Sequence, residues 1–141
     1  MIWKHQLTIP QVNAIAANTA MEHLGITVTE IGPDYITASM PVDHRTRQPL
    51  GLLHGGASVL LAESLGSFAS FLCIEDINRQ MAVGVEINAS HLRPAREGFV
   101  FGTCRPMRLG KLIQVWTIDI VDEAGRGICT SRLTIAIVDR K

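Results

Sequence analysis

The chain is 141 residues long, 47% hydrophobic and 18% charged, which suits one globular domain with a real core and excludes a disordered segment. Thirteen basic residues balance thirteen acidic ones, so nothing draws the whole chain to nucleic acid or an anionic membrane, and an aromatic content of 5% offers no platform for stacking single strands. Cys73, Cys104 and Cys129 are odd in number and lack a Cys-x-x-Cys spacing, which argues against a disulfide framework or structural zinc and for reduced thiols in a cytoplasm.

The N-terminal stretch Met1-Ile2-Trp3-Lys4-His5-Gln6 has no long apolar run, so no signal peptide is expected. Thr8 with Pro10 close behind marks a helix start, and Val12, Ile15 and Ala16 give that helix a short apolar face before His23-Leu24-Gly25 ends the segment. Two alternating runs, Ile26 to Ile31 and Tyr35 to Val42, flank Gly32-Pro33-Asp34 and predict a hairpin. From Asp43 to Gly51 the chain is polar and broken by proline and glycine, a loop that places Gln48 within reach of a ligand.

From Ala57 to Ile74 the sequence is apolar nearly all round, which predicts a helix enclosed on most sides. Its length approaches that of a membrane span, but the central Glu63 and four serines argue for a soluble core helix. Steps of three and four from Glu63 reach Ser67 and Ser70 forward and Gly56 back, a polar stripe that must face something wet, because a buried carboxylate needs a partner or a cleft. His54-Gly55-Gly56 stands at the helix start, where unpaired amides can stabilise a developing oxyanion and bare glycines let a ligand approach. Glu63 lies about two turns further on, roughly 10 Å along the axis, so one chain does not bring it to those amides.

After this helix four β-like runs follow, 81–92, 99–108, 112–122 and 127–138, with Pro106 marking an edge or a bulge. The order of helix, two strands, long helix and four strands, without repeat or linker, predicts an α+β fold: one domain, 1–141, with a curved antiparallel sheet wrapped around one long central helix. Between His91 and Lys111 the cations Arg93, Arg96, Arg105, Arg108 and Lys111 face one acid, Glu97. Clustered on adjacent strand ends they suit a phosphate-bearing ligand, and solvated loop arginines account for them equally well. The five histidines never adopt the spacing that puts two metal ligands on one helix face, so no metal is expected. No Gly-x-Ser-x-Gly is present either, which leaves Glu63 ahead of any serine as the catalytic group.

Gln48-Pro49-Leu50-Gly51-Leu52-Leu53-His54-Gly55-Gly56, followed by Leu61-Ala62-Glu63-Ser64 and Ser67, resembles the hotdog-fold acyl-CoA thioesterases, in particular the 1,4-dihydroxy-2-naphthoyl-CoA hydrolases of menaquinone synthesis. The likeness runs through nearly the whole chain, including Met40-Pro41-Val42-Asp43, Glu86 to His91, Gln114-Val115-Trp116 and Ser131 to Thr134. It implies a homodimer with joined sheets, usually paired again into a tetramer, and a thioester lying between the helix of one subunit and the loop of the other. By position, Glu63 would be nucleophile or general base, Ser67 would place water, Gly55 N–H would hold the carbonyl oxygen, and Gln48 and His54 would orient the thioester. Phe68 and Phe71 would border the acyl group, and His91, Arg93 and Arg108 would lie toward the coenzyme A nucleotide. A thioester is already activated, so no cofactor is required. Two other activities fit the same chain: hydrolysis of aryl or acyl carrier-protein thioesters, as in siderophore proofreading, and non-catalytic acyl-CoA sensing, against which Glu63 and the lack of a DNA-binding segment argue.

Overall fold

The computed structural model describes residues 1–141. In chain order the elements are α1 (Ile9–Ile15), α2 (Ala20–His23), β1 (Thr27–Ile31), β2 (Ile36–Pro41), α3 (Gly55–Cys73), β3 (Gln80–His91), β4 (Phe99–Leu109), β5 (Ile113–Asp122) and β6 (Gly127–Asp139). All six strands form one antiparallel sheet in the order β1-β2-β4-β5-β6-β3. This is the hotdog arrangement, with α3 lying in the concave face of the sheet. The connection through α3 carries the chain from β2 to the far side, so β3 pairs with β6 alone and forms an outer edge.

Alternation places the core. In β5 and β6, Trp116, Ile118, Ile120, Leu133 and Ile135 point inward and are fully buried, and the residues between them face out. Leu61, Ala62, Leu65, Ala69 and Leu72 of α3 meet them. Close approach depends on glycine at two points: a Cβ at Gly66 would stand 2.4 Å from Leu133 Cδ2, and one at Gly102 would stand 3.0 Å from Leu65 Cδ1. With a mean hydropathy of 1.4, α3 is apolar and long enough to cross a membrane, yet nine of its residues are buried in this core.

The strand boundaries expected from alternation hold to within about two residues. Pro106 sits at a bulge between Pro106 and Arg108, and β2 ends its pairing with β4 at Cys104, so the missing N–H falls where β4 has outrun its neighbour. The N-terminal helix is a correction. It breaks into two because Asn18 adopts a left-handed φ of +60° and Thr19 caps a new helix, its hydroxyl accepting from Met21 N–H. The capping box of Thr8 and Gln11 starts the first piece as Thr8 suggests.

Ser70 is a second correction. Instead of joining the polar stripe it is fully buried and turned to the sheet. The Trp116 indole N–H donates to Ser70 Oγ at 2.8 Å, and the Ser70 hydroxyl donates to Gln114 Oε1 at 2.7 Å. Trp3 stacks on Trp116 with ring centroids 6.4 Å apart, and its own N–H donates to Gly32 O at 2.7 Å, which fastens the N-terminal segment over the core. Ser70→Ala strands the indole N–H beside a longer 3.3 Å contact to Gln114. It is expected to cost about 1–3 kcal/mol, read as a lower urea midpoint at unchanged slope.

Candidate active site

The loop before α3 is tied down at both ends. Thr46, 1% exposed, donates from its hydroxyl to Pro41 O at 2.7 Å and accepts the His54 N–H on its carbonyl at 2.8 Å. Leu53 N–H donates to Ala95 O at 2.8 Å. The Arg45 side chain beside Asp43 holds its carboxyl down to about 2 and pins the loop's first turn. Gly51, with φ +81°, reverses the chain, so that Gln48 bonds Leu52 and Gly51 through its backbone and accepts Leu50 N–H on Oε1. The Gln48 amide nitrogen makes no bond within the protein.

At the helix start the amides are unequally used. His54 is the N-cap: its Nδ1 accepts Gly56 N–H at 2.8 Å, and its carbonyl accepts Ala57 and Ser58 N–H at 3.0 and 3.2 Å. Gly55 N–H is the one first-turn amide without an acceptor. It carries the positive end of a 19-residue helix and opens on a cavity of about 330 Å³ lined also by Gln48, Ser58, His91 and Arg93. The His91 imidazole packs directly on Gly55, where a Cβ would stand 2.6 Å from Nε2. Such a donor can hold an oxyanion.

Glu63 belongs to a different cavity of about 430 Å³, bounded by Ser64, Ser67, Phe68 and Phe71 of α3 and by residues of α1, α2 and the turn between them, from Ile15 to Met21. The walls are mainly apolar, and Phe68 meets Phe71 edge to face at 6.2 Å. Glu63 forms no ion pair or hydrogen bond, so its carboxylate oxygens are free to attack or to take a proton. Glu63 and Gly55 lie eight residues apart on one helix, roughly 12 Å along its axis, and they line separate cavities of the chain. No group of three His, Cys, Asp or Glu stands together to hold a metal ion. Burial pushes the Cys73 thiol up to about 11 and the Cys104 thiol higher still, so neither is a ready nucleophile.

The cations between His91 and Lys111 do not form one patch on the folded chain. Register puts Arg93 and Arg96 beyond the end of β3 and Arg108 and Lys111 at the opposite end of the sheet, roughly 30 Å away along β4. Arg105 is engaged elsewhere, 3.4 Å from Asp34 and 4.6 Å over the Tyr35 ring. His91 also differs from expectation in touching the helix start itself.

Residues 50–129 match the family model described as Thioesterase superfamily. The chain is 54% identical to 1,4-dihydroxy-2-naphthoyl-CoA hydrolase of Escherichia coli, over 98% of this chain and all of the relative. It is 53% identical to the proofreading thioesterase EntH of Cronobacter sakazakii, over 98% of this chain and 99% of that protein. Among solved structures, a mutant thioesterase of Pseudomonas aeruginosa superimposes with a TM-score of 0.97 at 45% identity, covering 99% of this chain and 100% of that one.

Gly84, which sequence reasoning passed over, faces Glu63 from the inner side of β3. A Cβ there would stand 2.6 Å from Glu63 Oε1, no other side chain lies within 4 Å, and φ is not in the left-handed region. The signal available in the sequence was a glycine inside a strand with no turn to make. Gly84→Ala is expected to push the Glu63 carboxylate aside by roughly an ångström while leaving stability equal or slightly higher, since alanine loses less backbone entropy on folding. A crystal structure and a melting curve of the variant measure both.

Proposed function

The chain belongs to the thioesterase superfamily and is a thioester hydrolase of the hotdog fold, and from that premise we propose that its substrate is an aromatic acyl-CoA, with 1,4-dihydroxy-2-naphthoyl-CoA first. It would act in the cytoplasm, in menaquinone synthesis, as one domain spanning 1–141. The observation that carries the mechanism is the unpaired Gly55 N–H at the mouth of one cavity with the unneutralised Glu63 carboxylate in another. Each is half of a thioesterase site, and a second protomer supplies the missing half.

In this reading two protomers join along β3, whose outer edge has no partner strand and whose Val85 is 61% exposed, and two such dimers pair again. Gly55 N–H of one protomer takes the carbonyl oxygen, and Gln48 and His54 orient the thioester. Glu63 of the other attacks the carbonyl or activates water, with Ser67 one turn on to place that water. The carbonyl carbon gains the oxygen of water, directly or when water cleaves the anhydride formed with Glu63; the carbon–sulfur bond breaks, the proton lost by water ends on the departing coenzyme A thiolate, and no cofactor takes part. The acyl ring lies against Phe68 and Phe71, in a cavity whose apolar walls suit an aryl group. His91 and Arg93 border the arm of coenzyme A. Arg108, at the far end of its own sheet, serves only toward a site presented by another protomer.

The near-equal identity to the proofreading thioesterase supports a second reading, hydrolysis of carrier-protein thioesters on the same catalytic groups. A non-catalytic acyl-CoA sensor fits less well, because it gives an unpaired carboxylate facing an apolar cavity nothing to do. Rates on aryl and aliphatic thioesters, each borne on coenzyme A and on a carrier protein, separate these readings. An aryl-CoA is expected to have the highest kcat/KM by at least about tenfold, which corresponds to 1.4 kcal/mol of transition-state binding. Preference for the carrier protein would replace the first reading with the second.

Subunit mixing tests the shared site. Glu63→Ala and Gln48→Ala are each expected to be nearly inactive alone. Unfolded together and refolded one to one, half the dimers are mixed, and in each of these one site carries both lesions and the other neither. About a quarter of wild-type activity is expected to return if pairing is random and isologous. Verified mixing with no recovery places the whole site within one chain.

A further inference from the structure

The Glu63 cavity has one wall that does not belong to the packing of α3 on the sheet. Ile15, Ala16 and Met21 stand in it, opposite Phe68 and Phe71, and Ile15 is an apolar side chain left 54% exposed. This N-terminal segment is lightly rooted, since α1 buries only Val12 and its C-cap Ala16, and α2 buries no residue. Within itself it is well tied. The Thr19 hydroxyl donates to Ala16 O at 2.6 Å, and Ala16 and Ala17 N–H donate to the Asn13 and Ala14 carbonyls at 3.2 and 3.3 Å. The segment therefore keeps its shape, and its distance from α3 depends on how α1 is attached.

Asn13 makes that attachment. Its Nδ2 donates to Val28 O at 3.0 Å, and its Oδ1 accepts Val28 N–H at 2.8 Å. The orientation of the amide is set by chemistry, because a backbone N–H can only donate and a carbonyl can only accept. Both backbone groups of Val28 turn away from β2, so one side chain does for the outer edge of β1 what a neighbouring strand would do. Of the hydrogen bonds made by residues 8–24, only these two reach the sheet.

We propose that Asn13 is a positioning residue for acyl selectivity: by fastening α1 to Val28 it fixes the spacing between the Ile15 wall and the Phe68–Phe71 wall, which favours a flat aryl group over a flexible alkyl chain. The inference rests on the reading that this cavity takes the acyl group. A rigid ring makes its contacts only in a slot already at its width, whereas an alkyl chain changes torsions to follow a wall that has moved. Asn13 does not line the cavity, so it acts through Ile15 and Ala16 and not on the substrate itself.

The test measures kcat/KM for benzoyl-CoA and octanoyl-CoA and reads their ratio, because a loss of folded enzyme lowers both alike and cancels. Asn13→Ala is expected to lower the aryl-to-alkyl ratio by about tenfold, chiefly through KM for benzoyl-CoA. Asn13→Asp keeps the acceptor for Val28 N–H and sets a carboxylate oxygen against Val28 O, and should lower the ratio by at least about threefold. Added to Asn13→Ala, Ile15→Ala should change the ratio by less than about twofold, since the wall it belongs to has already shifted. An unchanged ratio, equal falls on both substrates, or full additivity with Ile15→Ala overturns the inference. If Asn13→Ala does not fold, Asn13→Asp decides by the same ratio. A wild-type chain that hydrolyses neither thioester overturns the function proposed above, and the Kd ratio of the two thioether analogues on the same variants then decides this inference.

Discussion

The packing of α3 into the concave face of one antiparallel sheet is the constraint on which the molecule turns. A 19-residue helix can sit so close only where side chains vanish, and Gly66 and Gly102 supply that clearance against Leu133 and Leu65. Once the helix is fixed, its start must lie near the end of β3, which puts His91 on Gly55, and its middle must pass over Gly84, which gives the Glu63 carboxylate its place. Two glycines thus position two functional groups from opposite elements. A glycine on the helix makes room for an imidazole on the strand, and a glycine on the strand makes room for a carboxylate on the helix.

The same constraint keeps Gly55 and Glu63 apart within one chain. A straight helix cannot bring its first amide and its ninth residue together, and here they open on separate cavities. His54 sharpens the division by taking Gly56 N–H and leaving Gly55 N–H as the only free first-turn donor. The capping histidine therefore selects which amide remains available.

Much of this was legible in the sequence because it follows from period and punctuation. Alternation marked the strands, and the apolar run marked the enclosed helix with the lone carboxylate of Glu63 in it. What escaped were features set by three-dimensional register. Arg93 and Arg108 look adjacent along the chain, but an extended strand between them carries one to the far end of the sheet. Ser70 falls at the right spacing for the stripe and within about 20° of Glu63 around the helix, but two turns further along the axis that side of the helix meets Trp116 and Gln114. The break at Asn18 depends on a left-handed residue that no periodicity announces. The clearance at Gly84 becomes visible only when helix and strand are seen together.

The pairing of Trp3 with Trp116 also decides what light can report about this molecule. The chain has two tryptophans, and they lie parallel and in contact across the seam between the N-terminal segment and β5. At such separation excitation passes readily between them, so their emission behaves as one chromophore at one place. That place is beside Ser70 and Gln114, with the indole N–H of Trp116 already committed to them. Intrinsic fluorescence is therefore a sensitive witness to loosening of the N-terminal segment, and a poor one to events at the start of α3.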